Sequence, residues 1–292
     1  MPHEPSDDQA PRPGLDIASW VGSREQRLDV AAAGPLERLR ATLDRVGPAY
    51  QPGDAVPPLG HWLYFLPCEP PSALGPDGHA ARGGFLPPVH DLPRRMWAGG
   101  RLEFPGMLPI GAAIRRVSTI TEVQRRHGRS GPLAFVTVRH EIAADAAPAA
   151  IIEHHDIVYR SLDAAARRPP AAPPRTPWHR RVIPDDVLLF RYSALTFNGH
   201  RIHYDRRYAT EVEGYPGLVV HGPLIATLLV DVLQHHLGDR AIAAFSYRAV
   251  SPCFDGAPLL LDGVPADAGG RARAWAANQD GALIMEADAL IR

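Results

Sequence analysis

The fold is decided by the stretch Phe197-Asn198-Gly199-His200-Arg201-Ile202-His203-Tyr204-Asp205 and by the segment Gly217-Leu218-Val219-Val220-His221-Gly222-Pro223-Leu224 that follows it. The first part places an amide, two imidazoles, a guanidinium and a carboxylate within nine residues. The second part leads into the longest apolar run of the chain, which predicts a buried helix over 224–237 ended by Gly238. A polar cluster before the first turn of a buried helix is a typical layout for an active site.

Similar segments occur in the same order on both sides of this stretch. Leu36, Leu39, Leu43 and Val46 predict one apolar stripe of a helix that begins at Pro35 and stops at 47–48. Strand-like runs with turn residues between them follow each predicted helix, at 96–104, 112–125, 133–142 and 151–159, and again at 241–250, 258–264, 271–278 and 282–291. We therefore expect two copies of one α+β unit, a helix against a four-strand antiparallel meander.

A proline-rich stretch separates the two copies. Residues 162–178 contain five prolines, which predicts a stiff, extended linker between an N-terminal domain at 15–162 and a C-terminal domain at 179–292. Residues 1–14 lack apolar periodicity, and we expect a disordered tail there. Residues 67–93 are rich in proline and glycine and predict a long surface loop, a class that is usually functional or mobile.

Composition excludes several classes of function. The chain has 292 residues, a net charge of −1 and 45% apolar residues, which is typical of a soluble globular protein that binds neither nucleic acid nor membrane. All 31 basic residues are arginine, so catalysis by lysine is excluded. Cys68 and Cys253 are too far apart in sequence for a CxxC motif. The polar N-terminus and the absence of a run of about 20 apolar residues lead us to expect a cytoplasmic protein.

His203 and Asn198 are the candidate catalytic pair of the polar cluster. A histidine has an ordinary pKa near 6.5 and serves as a base or an acid at neutral pH, whereas an amide only orients water. Asp205 either takes part in catalysis or caps the helical turn predicted at 208–213. His200 either assists His203 or binds the loop backbone. Since the sequence offers no third ligand close to the two histidines, we expect no metal and no other cofactor.

Gly222 is the second informative residue, because it stands at the beginning of the predicted buried helix. Backbone N–H groups are unpaired there and the helix dipole is positive, so a glycine lets a carbonyl oxygen approach closely. Such a site stabilises negative charge that develops on the oxygen. The alternative is that Gly222 only eases the packing of the helix start.

These motifs resemble a known family. The string His-Tyr-Asp-x-x-Tyr-Ala at 203–209 and the string at 215–224 are similar to the signature of MaoC-like hotdog-fold enoyl-thioester hydratases. Segments 94–100, 154–160 and 195–205 are similar to one branch, the hydroxyacyl-thioester dehydratases type 2 and mesaconyl-C4-CoA hydratases. The resemblance implies a double hotdog, in which two central helices are each wrapped by an antiparallel sheet. It also implies one active site per chain, in the C-terminal half, with a degenerate N-terminal half.

The resemblance implies roles for the motif residues. His203 matches the catalytic histidine, and Gly222 matches the glycine that binds the thioester carbonyl. Asn198 stands at the position of the family's aspartate, and His200 at that of its asparagine. Without the aspartate, either His203 returns the proton to the α-carbon, or His200 or Asp205 assists. The remaining candidates, for substrate binding, are Arg201, His221 and Tyr204.

The reaction that the resemblance implies is the reversible addition of water across the α,β double bond of an acyl thioester. We expect a short branched dicarboxylic enoyl-CoA, mesaconyl-C4-CoA or itaconyl-CoA, to be converted to citramalyl-CoA. Its free carboxylate calls for an arginine, for which Arg201, Arg94 and Arg95 are candidates. The alternatives are a 3-hydroxyacyl-ACP dehydratase of fatty acid synthesis, a hotdog thioesterase and a non-catalytic thioester-binding protein. We expect acyl-CoA or acyl-ACP as the partner, and a homodimer.

Overall fold

One continuous antiparallel sheet carries both halves of the chain. The computed structural model describes residues 16–128, 131–161, 168–238 and 240–292; the predicted disordered tail and the first part of the linker lie outside these ranges. The strands of the described residues are β1 (Arg24–Val30), β2 (Arg94–Glu103), β3 (Ala113–Gly128), β4 (Gly131–Ala144), β5 (Ile151–Arg160), β6 (Trp178–Val182), β7 (Ile242–Ala249), β8 (Leu259–Val264), β9 (Arg271–Ala277) and β10 (Leu283–Ile291). The α-helices are α1 (Ala33–Thr42), α2 (Asp186–Leu195) and α3 (Gly222–Leu237).

The strand order repeats from one half to the other. Along the sheet the order is β1-β3-β4-β5-β2-β7-β10-β9-β8-β6, so that each half has its second strand beside its last. The two halves join where β2 pairs with β7. The predicted strands are present with ends within three residues of those expected, but the expectation of simple meanders is wrong. One edge of β2 pairs with β5, the last strand of the N-terminal half, and the other edge pairs with β7 of the C-terminal half. No edge of β2 therefore remains for β3.

α3 is the buried helix that the apolar run predicts. Ten of its sixteen residues are buried, and it packs mainly against β8, β9 and β6. Full burial of an aliphatic side chain contributes about 1.5–3 kcal/mol, so α3 is held chiefly by its apolar contacts. Pro223 suits its first turn, and Gly238 ends it with φ of 61°. Within the described part of the chain, no helix is long and apolar enough to cross a membrane.

The N-terminal half has a much shorter helix. α1 ends at Thr42, and Asp44 follows with φ of 55°, which turns the chain before the predicted stripe is complete. Leu36, Leu39 and Leu43 are buried as predicted, but Val46 is fully exposed, so its place in the stripe is wrong.

Further segments cover the inner face of the N-terminal sheet. The 3₁₀ turn at Gly60–Leu63 is largely buried, and Val89 and Leu92 of the predicted surface loop are buried against β3–β5. The loop is therefore not a simple surface excursion. Its position brings it towards the polar cluster of the C-terminal half.

Candidate active site

The polar cluster forms a tight turn directly after α2. The Asp185 carboxylate caps α2 by accepting a hydrogen bond from the Leu188 N–H at 2.8 Å, and the helix ends at Leu195. The Asn198 N–H then donates to the Ser193 carbonyl at 2.8 Å, and the Asn198 side-chain oxygen accepts from the His200 N–H at 3.0 Å. The side-chain oxygen of Asn198 therefore builds the turn that presents the two histidines.

His203 has the geometry of a general base. Its ring is buried, and its Nδ1 lies 2.7 Å from the Val219 carbonyl oxygen. Because a carbonyl only accepts hydrogen bonds, Nδ1 carries the hydrogen, and the lone pair is on Nε2. Burial lowers the pKa of His203 to about 4, so the ring is neutral at physiological pH. A neutral imidazole with a free Nε2 can take a proton from water.

His221 supports His203 from behind. The two rings stack with their centroids 3.8 Å apart and their planes 19° from parallel. His221 Nε2 lies 2.8 Å from the Ser193 hydroxyl oxygen, which ties α2 to the start of α3. Burial and the neighbouring histidines hold the pKa of His221 well below its ordinary value. His221, which was expected to bind substrate, is thus a buried, neutral side chain that forms one wall of the site.

Gly222 opens a space at the N-terminus of α3. It is the first residue of the helix, and a Cβ built on it would meet no atom within 4 Å. The N–H groups of a first turn have no partner inside the helix, and the dipole is positive there. An oxygen on which negative charge develops can therefore lie against this backbone without displacing a side chain. This is the geometry that the oxyanion interpretation requires.

Asp205, Arg201 and Tyr204 are engaged in fixing the segment. The Asp205 carboxylate accepts from the Tyr208 N–H at 3.0 Å and from the Arg201 guanidinium at 2.8 Å, so it caps the turn Tyr208–Val212. Arg201 also donates to the Pro76 carbonyl, and the Tyr204 hydroxyl donates to the Gly199 carbonyl at 3.0 Å. These contacts favour the capping alternative for Asp205 and leave little of Arg201 for a substrate carboxylate.

The loop at 67–93 contributes to the site, which sequence reasoning missed. The Asp77 carbonyl accepts from the Arg201 N–H at 2.9 Å, and the His79 ring lies 4.0 Å from the His200 ring. A Cβ on Gly78 would come within 1.9 Å of the Gly199 carbonyl oxygen, so only glycine allows the loop to approach this closely. The loop length was the one available signal, because Asp-Gly-His alone is an ordinary turn sequence.

Asp77 and His79 act on each other as well as on His200. The Asp77 carboxylate lies 3.1 Å from His79 Nδ1. Burial opposes ionisation of Asp77, but the contact with His79 holds its pKa below the ordinary value. Burial lowers the pKa of His79 and His200. Potential metal-ligand atoms of Asp77, His79 and His200 lie within 4.8 Å of one another. The hydrogen bond between Asp77 and His79 and the packing of His79 on His200 hold the three side chains together.

Comparison with known proteins identifies the family. Residues 59–255 match the family described as hydroxyacyl-thioester dehydratase type 2. The chain belongs to this family. It is 47% identical over 277 residues to the mesaconyl-C4-CoA hydratase of Chloroflexus aurantiacus, covering 93% of this chain and 96% of that protein. The expected branch of MaoC-like hydratases is therefore confirmed, and the chain is a hydro-lyase, an acyl-thioester hydratase or dehydratase.

Solved structures confirm the fold class. A MaoC-like dehydratase aligns with a TM-score of 0.71 at 14% identity, over 94% of this chain and 99% of that chain. A hypothetical protein of Mycobacterium tuberculosis described as a double hotdog aligns with a TM-score of 0.60 at 12% identity, over 93% of this chain and 96% of that chain. The family member thus has the expected α+β double-hotdog architecture, with α3 much longer than α1.

Proposed function

We propose that this enzyme adds water reversibly across the double bond of a short dicarboxylic enoyl-CoA, with mesaconyl-C4-CoA as the preferred substrate and citramalyl-CoA as the product. The observation that carries the proposal is the orientation of His203, whose Nδ1 is bound to the Val219 carbonyl so that Nε2 is free. The 47% identity to a mesaconyl-C4-CoA hydratase over 93% of the chain supports the choice of substrate.

In this reaction His203 Nε2 takes a proton from water while the water oxygen forms a bond to the β-carbon. The π electrons of the double bond move towards the thioester carbonyl, and negative charge develops on its oxygen. The Gly222 N–H and the dipole of α3 stabilise that oxygen. The enolate then collapses and its α-carbon takes a proton, which completes the addition of one water.

His203 itself is the proton donor in the second step. After the first step its Nε2 carries the proton, and delivery to the α-carbon restores the neutral ring. Asp205 accepts hydrogen bonds from Arg201 and from the Tyr208 N–H, so we assign it a positioning role. Asn198 and His200 hold and flank the turn, and the loop residue His79 packs on His200. One histidine therefore performs both proton transfers, and no aspartate is needed at position 198.

The proposal also includes the carrier of the substrate, the oligomeric state of the enzyme and its location in the cell. The carrier is CoA, as in the name of the 47% identical relative, while an acyl-carrier protein is the alternative. The protein forms a homodimer, and the molar mass from light scattering coupled to size-exclusion chromatography tests this. Its location is the cytoplasm, which fractionation of cells tests.

A panel of thioesters tests the proposed function. Mesaconyl-C4-CoA, itaconyl-CoA, crotonyl-CoA and a long-chain enoyl-CoA are incubated with the enzyme, and each is presented also on an acyl-carrier protein. Mass spectrometry should show the gain of one water, fastest with mesaconyl-C4-CoA, without release of free thiol. Faster hydration of the long-chain or carrier-protein substrates would favour the fatty acid dehydratase, and thiol release without water gain would favour a thioesterase.

A further inference from the structure

Three buried polar atoms that lack well-formed hydrogen bonds lie on one face of the sheet, where β5, β2 and β7 adjoin. They are Trp97 Nε1, His155 Nε2 and the Tyr247 hydroxyl; none makes a hydrogen bond of good geometry among the described residues, although the Trp97 side chain interacts with the Tyr247 hydroxyl. Buried polar groups are nearly always hydrogen-bonded, and leaving one unpaired costs about 1–3 kcal/mol. Three such atoms in one cluster indicate a site that a bound molecule completes.

The register of the sheet explains why these atoms meet. Gly100 of β2 lies between His155 of β5 and Tyr247 of β7, and it has no side chain to separate them. A Cβ on Gly100 would lie 2.7 Å from the Tyr247 hydroxyl oxygen. The Trp97 ring lies 4.0 Å from the His155 ring and 6.5 Å from the Tyr247 ring. Because any side chain at position 100 would collide with Tyr247, Gly100 allows the Tyr247 ring to lie directly over β2.

Arg95 brings a positive charge to the same face. It lies two residues before Trp97 on β2 and opposite Tyr159 of β5, with which it interacts. No carboxylate among the described residues forms an ion pair with it. By contrast, Arg94 pairs with Glu213, and Arg82 donates to the carbonyls of the segment 89–93.

This face borders the catalytic segment. Arg95 lies opposite Tyr159, and Arg82 of the loop at 67–93 lies over the Tyr159 ring at 5.8 Å. The same loop packs the His79 ring on the His200 ring at 4.0 Å, and the positive charge of Arg95 helps to lower the pKa of His200. At the other end of the cluster, Tyr247 neighbours Tyr192, whose ring lies 5.1 Å from that of His221. His200 and His221 both contact His203, at 5.3 Å and 3.8 Å between ring centroids.

Glu153 is a buried acid on the same face of the sheet, and its carboxylate already has hydrogen-bond partners. Its two carboxylate oxygens lie 3.0 Å from His61 Nε2 and 3.0 Å from Trp62 Nε1. The positive charge of Arg116 acts on Glu153 as well. The acid is therefore not available as a partner for Arg95.

We propose that Arg95, Trp97, His155 and Tyr247 form an acyl-carboxylate subsite, which binds the free carboxylate of the substrate through the guanidinium and these three buried polar groups. This inference rests on the proposed function. In mesaconyl-C4-CoA the β-carbon carries both a methyl group and the carboxylate, so the anion must lie close to the water that His203 activates. A cation beside His200 meets that requirement.

A pair of substrates that differ in one group tests the subsite. In 3-methylcrotonyl-CoA a methyl group replaces the carboxylate of mesaconyl-C4-CoA. The variant Arg95→Gln should lower kcat/KM for mesaconyl-C4-CoA about 100-fold or more, the scale for truncating one partner of a buried charge pair. For 3-methylcrotonyl-CoA, kcat/KM, or the inhibition constant if turnover is slow, should change less than about threefold, because no charge pair is lost.

Two further variants make the result unambiguous. Trp97→Phe keeps a six-membered aromatic ring and removes the indole N–H donor, and should lower kcat/KM about tenfold for the dicarboxylic substrate alone. Arg101→Gln is the matched control, since Arg101 lies on the same strand but is exposed and pairs with Asp156. It should leave both substrates unaffected.

The outcomes separate the subsite from the function. If Arg95→Gln and Trp97→Phe lower kcat/KM equally for both substrates, or for neither, the subsite is overturned. Hydration of mesaconyl-C4-CoA by the wild type would uphold the proposed function in that case. A wild-type enzyme that hydrates 3-methylcrotonyl-CoA or crotonyl-CoA but no dicarboxylic thioester would overturn both.

Discussion

The variant Gly222→Ala tests the oxyanion site at the start of α3 without disturbing the fold. A Cβ at this position would meet no protein atom within 4 Å, so the methyl group enters only the space assigned to the thioester oxygen. Alanine is a better helix former than glycine by up to about 1 kcal/mol, so the free energy of unfolding should stay the same or rise. Activity and stability are therefore expected to move independently.

The expected loss of activity follows from displacement of the oxygen. Removing one donor of an oxyanion site costs about 100- to 1000-fold in kcat, and a misplacement of about 1 Å costs on the order of 100-fold. The methyl group leaves the N–H in place but holds the oxygen away from it. We expect kcat/KM for mesaconyl-C4-CoA to fall about 100-fold, measured as loss of enoyl absorbance.

Gly238→Ala is the matched control at the other end of the same helix. Gly238 has φ of 61° and ψ of −129°, a conformation that alanine adopts only with strain of about 1–3 kcal/mol. This control should lower the free energy of unfolding and leave kcat/KM unchanged. Wild-type kcat/KM in Gly222→Ala, with the protein folded, would refute the assignment of the thioester oxygen to the N-terminus of α3.

The other predictions concern protonation and the turn before α3. The pKa of His203, about 4, predicts that kcat/KM for a neutral enoyl-CoA falls on the acid side near pH 4, and an inflection near pH 6.5 would contradict a buried neutral base. Burial lowers the pKa of His155 and His203 to about 4 in the folded state, so between pH 6.5 and 4 the unfolded chain binds more protons than the folded chain. The free energy of unfolding therefore decreases as the pH is lowered through this range. Each should remove about 2 kcal/mol at pH 5, and urea unfolding that gives equal free energies at pH 7.5 and 5 would refute this. His79→Ala removes the ring that packs on His200 and should lower kcat about tenfold with little change in KM, because poorer positioning acts on the reacting geometry; unchanged kcat would exclude a positioning role for the loop. Asn198→Asp keeps the oxygen that accepts from the His200 N–H, so hydration should stay within about threefold of wild type, and a larger loss would show that the amide is required.

The apolar pattern predicted the parts of the fold that depend on local periodicity. The run before Gly238 determines α3, and alternating apolar residues determine the strands on either side of the linker, since both patterns follow from burial of one face. β1 was not predicted, because its residues Arg24–Val30 are mostly charged and it is an edge strand that pairs only with β3 among the described strands. The pairing of β2 with β5 and β7 could not be predicted either, because periodicity carries no information about neighbours.

The same distinction between local sequence pattern and long-range contact applies to the residues of the candidate site. His203 and Gly222 could be predicted, because His203 stands in the polar cluster, Gly222 stands at the start of the predicted buried helix, and both match the motif of the family. The contribution of His79 depends on a contact between residues more than a hundred positions apart, which Gly78 allows by its close approach to Gly199. Arg95 was one of three arginines that the sequence left open. Only the ion pairs of the folded chain distinguish it from Arg201.

The most direct test of the central claim follows the oxygen atom. Wild-type enzyme and the variant His203→Gln are incubated with mesaconyl-C4-CoA in water enriched in ¹⁸O, and the thioesters are analysed by mass spectrometry. The wild type should form citramalyl-CoA with one labelled hydroxyl oxygen, and the variant should form almost none while its melting temperature stays close to that of the wild type. Undiminished labelling by the folded variant, or no labelled citramalyl-CoA from the wild type, would contradict the account.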